Sequence, residues 1–255
     1  MPLNITDYND TNYEQDFWSQ RKYEDIVEQY LLTKLVPKAN SLLDIGGGFG
    51  RLIPSYKDKV SNSITIFDYS QKLLNSAKEK YSNFTNINFI QGDFYKMPFK
   101  DSSFGAAISI RTLHHVEDVP VFLKEVSRVL QPEATLIIEF ANKRNLLEII
   151  RFITKKTTLN PFTLNPENRS NKGLTYNFHP KYVYAELEKQ GFIILRKVPS
   201  SILRLPFLKK ILGQNFLSFL ENLIPLKARF LTLTPSIFLL CRKVKGDNKC
   251  QNEQT

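Results

Sequence analysis

Three glycines at alternate positions, Gly46, Gly48 and Gly50, follow Asp44 directly after the apolar run 42–45. This order of residue types suits a turn that closes on a nucleotide-like ligand. Glycine has no Cβ and tolerates positive φ, so backbone N–H groups can come close to what they bind. A dinucleotide fingerprint of the form G-x-G-x-x-G requires glycine where this chain has Arg51, which argues against a nicotinamide cofactor. Two more acids stand at predicted strand ends, Asp68 after 63–67 and Asp93 after 87–90. Open α/β sheets bind ligands at that edge, and a carboxylate there can accept protons from ribose hydroxyls. Of the histidines, His114 and His115 follow the predicted strand 104–110, and His179 precedes a predicted helix. Histidine suits proton abstraction because its ordinary pKa lies near neutrality.

The elements that must hold these groups alternate. Strands are predicted at 42–45, 63–67, 87–90, 104–110 and 134–140, the last two as apolar runs typical of strands buried on both faces. Helices are predicted at 26–36, at 50–58 with Pro54 in the first turn, at 70–80 with Ser70 as N-cap, and at 119–130. Repeated β-α-β at this spacing points to a parallel, doubly wound sheet. After 141 the rhythm changes. A helix at 143–154 leads into a loop-like stretch to 180, a helix at 180–190 stopped by Gly191, a strand at 192–198, an apolar-basic helix at 204–226 and a last strand at 237–242.

The chain has 255 residues, 42% of them apolar, and a formal charge of +10. Positions 196–249 hold eleven Lys and Arg against Glu221 and Asp247, nearly the whole excess, so the charge suits either a surface patch for an anionic partner or a solvated lysine-rich rim with none. Those basic residues interleave with leucines rather than with stacking aromatics, which disfavours RNA, and a DNA partner is not expected. Cys241 and Cys250 have no metal-ligand spacing, so no metal is expected. The start MPLNITDYND lacks a basic stretch followed by an apolar one, and no apolar run reaches the ~20 residues that span a bilayer. A cytoplasmic protein is the expectation.

Four features in order carry a family resemblance. They are the glycine turn with Asp44; Asp68; Gln91-Gly92-Asp93-Phe94 with Met97-Pro98-Phe99; and Leu113-His114-His115-Val116 followed by Glu125-Val126-Ser127-Arg128-Val129-Leu130-Gln131-Pro132. Over about residues 40–142 the chain resembles class I methyltransferases dependent on S-adenosylmethionine (SAM), in particular the type 11 small-molecule group. Glu133-Ala134 stands where that family usually has Gly-Gly. The resemblance implies a Rossmann-like α/β fold of seven strands in order 3-2-1-4-5-7-6, the last antiparallel, with helical cap insertions. It implies SAM as cofactor. Asp68, with Tyr69 beside it, would bind the ribose, and Asp93 the adenine amino group, with Phe94 as a wall or N–H donor. Gly46, Gly47, Gly48 and Gly50 would approach the methionine part, Asp44 its amino group, and Ile110 and Arg111 would lie at the same end.

The resemblance also divides the chain into an N-terminal helical lid (1–40, with Tyr8, Tyr13, Phe17, Trp18 and Tyr23), a SAM-binding core (41–142), a cap insertion (143–180), a C-terminal part of the same domain (181–245) and a disordered tail (246–255). The implied reaction is methyl transfer to a small apolar or aromatic molecule. A base is needed only for a hydroxyl or acidic-carbon nucleophile, and His114, His115 and His179 are its candidates. The Leu-His-His-Val motif also has a purely structural reading. The 204–226 segment has three readings: a pocket cap, a membrane-surface helix or a dimer interface, so the chain is expected to be a monomer or homodimer. An RNA-modifying methyltransferase and a non-catalytic SAM-fold binding or assembly protein are the alternatives.

Overall fold

The computed structural model describes residues 14–168, 175–224, 226 and 232–245. Seven strands form one sheet: β1 (Ala39–Ile45), β2 (Val60–Asp68), β3 (Ile87–Gln91), β4 (Phe104–Ser109), β5 (Leu130–Ala141), β6 (Phe192–Ser200) and β7 (Ser236–Lys243). Their order is β3-β2-β1-β4-β5-β7-β6, and β7 runs antiparallel to both neighbours, as expected. The helices are α1 (Lys22–Leu35), α2 (Gln71–Lys80), α3 (Val119–Val129), α4 (Leu146–Ile153), α5 (Pro180–Lys189), α6 (Pro206–Leu212) and α7 (Gln214–Leu223).

Alternation along each strand sends neighbouring side chains to opposite faces, and both faces are buried. Leu43, Ala107, Leu136 and Ile138 pack with Phe122 and Val126 of α3. Leu42, Ile64, Ala106 and Ile108 pack with Val27 and Leu31 of α1 on the other face. Each fully buried Leu or Ile contributes roughly 1.5–3 kcal/mol. Burial of this kind fixes the register and brings the C-terminal ends of β1, β2 and β4 to one edge.

Three expected helices differ. Residues 50–58 form no α-helix; they make 3-10 turns at Ile53–Ser55 and Lys57–Lys59. Gly50 has φ +74°, and Pro54 lacks the N–H that a continuing helix would use. The helix expected at 143–154 begins only at Leu146, because Asn145 caps it by accepting the Glu148 N–H at 3.1 Å. The 204–226 segment is two helices rather than one. Gly213, at φ +75°, breaks it between α6 and α7. Ser70 caps α2 as predicted, accepting from Leu73 N–H. Glu133 adopts φ 65°, a left-handed position where glycine would avoid a cost of roughly 1 kcal/mol. The predicted tail 246–255, Tyr8 and Tyr13 lie outside the described residues. Among the described residues no helix is long and apolar enough to cross a membrane, and no group of His, Cys, Asp and Glu could hold a metal ion.

Candidate active site

The glycine turn leaves β1 and folds back on β2. Gly46 N–H donates to Phe67 O at 2.7 Å, and Gly47 N–H to the same oxygen at 3.3 Å. Gly46 has φ +73°, and a Cβ there would overlap Thr112 Oγ1. Thr112 in turn donates its hydroxyl to Ile45 O at 2.9 Å, so it clamps the turn from the β4 side. A Cβ on Gly47 would stand 2.7 Å from Ile66 Cγ2. At Gly46 and Gly47 the turn therefore has room for backbone alone.

Asp68 closes the loop from β2. Its Oδ2 accepts Gly48 N–H at 2.8 Å and its Oδ1 accepts Ser70 N–H at 2.9 Å. The same carboxylate lines the cleft above the turn. The cleft above is lined by Gly46, Gly47, Gly48, Asp68, Tyr69 and Phe94, together with Ile110, Arg111 and His115. Thus most of the predicted cofactor residues meet in one place. Asp44 lies beneath the turn, 2% exposed, and accepts the Tyr56 hydroxyl at 2.6 Å. Burial pushes its carboxyl up to about 7, against the opposing pull of that hydrogen bond and of Arg51. Asp93 does not line the cleft. Its Oδ1 accepts Tyr95 N–H at 2.7 Å, which fixes the turn that presents Phe94.

The three histidines separate. His115 lines the cleft. His114 packs on it with ring centroids 3.9 Å apart but does not line the cleft. Burial, His115 and Arg111 hold the His114 imidazole well below its ordinary value, hence neutral. His179 is the N-cap of α5, its Nδ1 accepting Lys181 N–H at 3.2 Å.

Behind the methionine end that the resemblance implies lies a seam of buried charge. Arg111, at φ 60°, donates its backbone N–H to Glu139 Oε2 at 3.0 Å and its Nε to Glu28 Oε1 at 2.7 Å. Glu28 is 1% exposed and also receives Arg51 at 2.6 Å. Burial opposes charge on Arg111, but Glu28 and Glu139 outweigh it and hold the guanidinium charged. A left-handed non-glycine residue costs of order 1–3 kcal/mol and persists only where its surroundings fix it. One turn earlier on the same face of α1, Glu24 binds Lys209 Nζ at 2.6 Å and Arg204 Nε at 2.9 Å. Glu139 also accepts the Ser236 hydroxyl.

A second cavity, of 380 Å³, adjoins this seam at Arg204. Leu146, Leu147, Ile202, Leu205, Ile224 and Leu233 line it, with Arg204 at the seam. Over the cleft itself sits Trp18, whose ring is covered by the Arg51 guanidinium at 3.6 Å. Four consequential residues escaped the sequence reading: Thr112, Tyr56, Glu28 and Glu139. Arg51 was read only as the glycine that a dinucleotide turn lacks. All five act through partners distant in sequence.

The comparisons with known proteins converge on one family. Residues 43–138 match the model of a methyltransferase domain. An uncharacterized protein of Methanocaldococcus jannaschii is 29% identical over 79% of this chain and 82% of its own length. The demethylmenaquinone methyltransferase of Staphylococcus aureus is 32% identical over 40% of this chain, a match that spans 43% of that enzyme. Among solved structures, a SAM-dependent methyltransferase of Listeria monocytogenes superposes with TM-score 0.64 at 16% identity, covering 88% of this chain and 99% of that one. A Haloferax volcanii methyltransferase in complex with the Trm112 activator gives 0.62 at 14% identity, covering 92% of this chain and 95% of the matched one.

Proposed function

This chain carries a SAM-dependent methyltransferase domain of the type 11 family, and on that premise we propose that it methylates a small, largely apolar molecule. The acceptor's polar end meets the seam around Arg111 and its apolar body occupies the 380 Å³ cavity. The observation that carries this reading is the cavity itself, apolar in its lining, with Arg204 at its wall bonded to Glu24, one helical turn from Glu28 of the seam.

The residues present fit the cofactor. The turn is built of glycines, the Asp68 carboxylate lines the cleft at a strand end, and Phe94 with Leu73 gives an apolar wall for a base. When bound, SAM supplies a methyl group on a positively charged sulfur, already activated toward a nucleophile. Asp68 and Tyr69 would hold the ribose side, Gly46, Gly47 and Gly48 would admit the methionine part, Gly50, which does not line the cleft, shapes the turn at φ +74°, and Asp44 anchors the turn beneath it. Ile110 and Arg111 border that end, and Asp93 acts by orienting Phe94. Trp18, held on Arg51, covers the cleft and excludes water, the part assigned to the N-terminal lid. Alignment of the nucleophile then supplies most of the rate. For a hydroxyl or acidic-carbon acceptor, His115 takes the proton, because it is the histidine that faces the cleft. His114 backs it, and His179 positions α5.

The test has two arms. Calorimetry should show SAM binding that weakens about a hundredfold in Asp68→Ala, since two hydrogen bonds to a carboxylate are worth roughly 1.5 kcal/mol each at least. Methyl transfer to alkylphenols should then rise in kcat/KM with chain length. Rates flat in chain length, or transfer to RNA instead, would sink the apolar-acceptor reading.

A further inference from the structure

Resting on the apolar-acceptor reading, we propose that α4, α6 and α7 form a docking face for an anionic lipid surface, from which the acceptor enters the second cavity. All three helices border that cavity, through Leu146 in α4, Leu205 just before α6 and Ile224 just after α7. The inner side of α7 is spent on α1: Leu217 is buried, Gln214 accepts Tyr23 N–H and Glu221 accepts the Tyr23 hydroxyl. Its outer side carries Phe216, Phe219 and Leu223, and the last two are 57% and 61% exposed. Their spacing puts them on one stripe. Helix α6 exposes Phe207 and Ile211, the latter 72%, and α4 exposes Ile150 and Ile153, the latter 69%. Large apolar side chains so exposed on α6 and α7, which pack together, and on α4, which shares their cavity, mark an interaction surface rather than ordinary scatter.

Charge selects the occupant. The acids of these segments turn inward: Glu148 is buried on Arg151, and Glu221 is buried on Tyr23. The outward charges are cationic: Lys155 and Lys156 after α4, Lys210 in α6, and Arg144 before α4. Apolar residues flanked by lysines and arginines match an acyl boundary beneath anionic headgroups. A second copy of the chain across a two-fold axis would set these same cations against one another. At seven to ten residues the helices can lie on a bilayer but not cross it.

Sedimentation with vesicles tests this on the full chain. Wild type should bind vesicles of phosphatidylcholine and phosphatidylglycerol in equal parts, and hardly bind phosphatidylcholine alone. Added salt should weaken the binding. Phe219→Ser and Ile211→Ser should each reduce it about tenfold, the equivalent of losing one buried apolar side chain. Lys155→Glu with Lys156→Glu should reduce it at least tenfold on the anionic vesicles. SAM calorimetry should be unchanged in every variant, which shows the fold intact. Wild type that fails to sediment with anionic vesicles overturns the proposal, and so do variants that bind as wild type does. A wild-type dimer that Phe219→Ser dissociates, with vesicle binding untouched, gives the face to a second copy instead. Vesicle binding is read without any acceptor, so turnover of alkylphenols without it would sink the lipid face and leave the acceptor reading standing.

Discussion

The cleft and the cap are held by different physics. In the cleft, Trp18 apart, the functional groups sit within several residues of a strand end, and backbone N–H donors fix the turns: Gly46 to Phe67 O, Gly48 to the Asp68 carboxylate, Gly92 to Asp68 O. In the cap, the fixing contacts are side-chain pairs far apart in sequence, as between Lys209 and Glu24 or Glu221 and Tyr23. Local, backbone-built geometry specifies one cofactor. Long-range charge pairs over an apolar cavity leave the cap free to change its acceptor while the cleft stays constant. The seam through Glu28 and Arg111 is where the two constructions meet.

Cutting that seam gives the largest effect. Glu28→Ala leaves two largely buried guanidiniums, Arg51 and Arg111, without the carboxylate between them. Breaking a buried pair by removing one partner costs about 3–5 kcal/mol. Chemical denaturation should show a loss of that size, whereas SAM affinity should change less than tenfold, because Glu28 does not line the cleft. A loss below about 1 kcal/mol would mean that cleft and cap are not coupled through this carboxylate.

How much of each region was legible in the sequence follows from the same division. The strands of the core, Asp68 at a strand end and the Ser70 cap were readable because periodicity and capping are local signals, whereas the strand order and the role of Asp44 came from the family resemblance. The helix expected at 50–58 failed because a left-handed Gly50 and Pro54 within one turn admit only 3-10 geometry. The single helix expected over 204–226 failed at Gly213, since apolar spacing continues through a glycine that the backbone uses as a break. Asp93 was read as the partner of the adenine amino group, and nothing local showed that it would instead bond Tyr95 N–H and leave Phe94 to face the cleft. The seam was invisible: Glu28, Arg51, Arg111 and Glu139 come from four elements, and nothing in the neighbourhood of each marks it as a partner of the others.

An intermediate effect comes from pH, and it belongs to the cleft. Asp44 is buried against a neutral phenol rather than a cation, and its carboxyl is pushed from 3.8 to about 7. A carboxyl raised on folding favours the folded state while it is protonated. Its stabilising contribution is full below about 4 and is lost as pH rises through about 7. The melting temperature should therefore fall over that window, by the equivalent of roughly 2–4 kcal/mol. Asp44→Asn, which keeps an acceptor for Tyr56, should flatten the slope. An unchanged slope in that variant would place the titrating group elsewhere, with buried Glu139, also raised by burial, the next to test.

The smallest effect separates two adjacent lysines of α6. Lys209 points inward and holds Glu24 with both carboxylate oxygens, at 2.6 and 2.8 Å, while Lys210 is exposed. Lys209→Met keeps the length and the apolar stem but removes the charge. Arg204 still bonds Glu24, so the buried carboxylate is not orphaned, and the cost should stay near 1 kcal/mol by denaturation. Vesicle binding should not weaken, because this charge never faces outward. Lys210→Glu should do the reverse, leaving stability within about 0.5 kcal/mol and lowering binding to anionic vesicles several-fold. If Lys209→Met instead weakened vesicle binding as much as Lys210→Glu, the tie between α1 and α6 would be part of the lipid face itself. The cap would then have to be read as one charged surface rather than as an internal clamp with an apolar exterior.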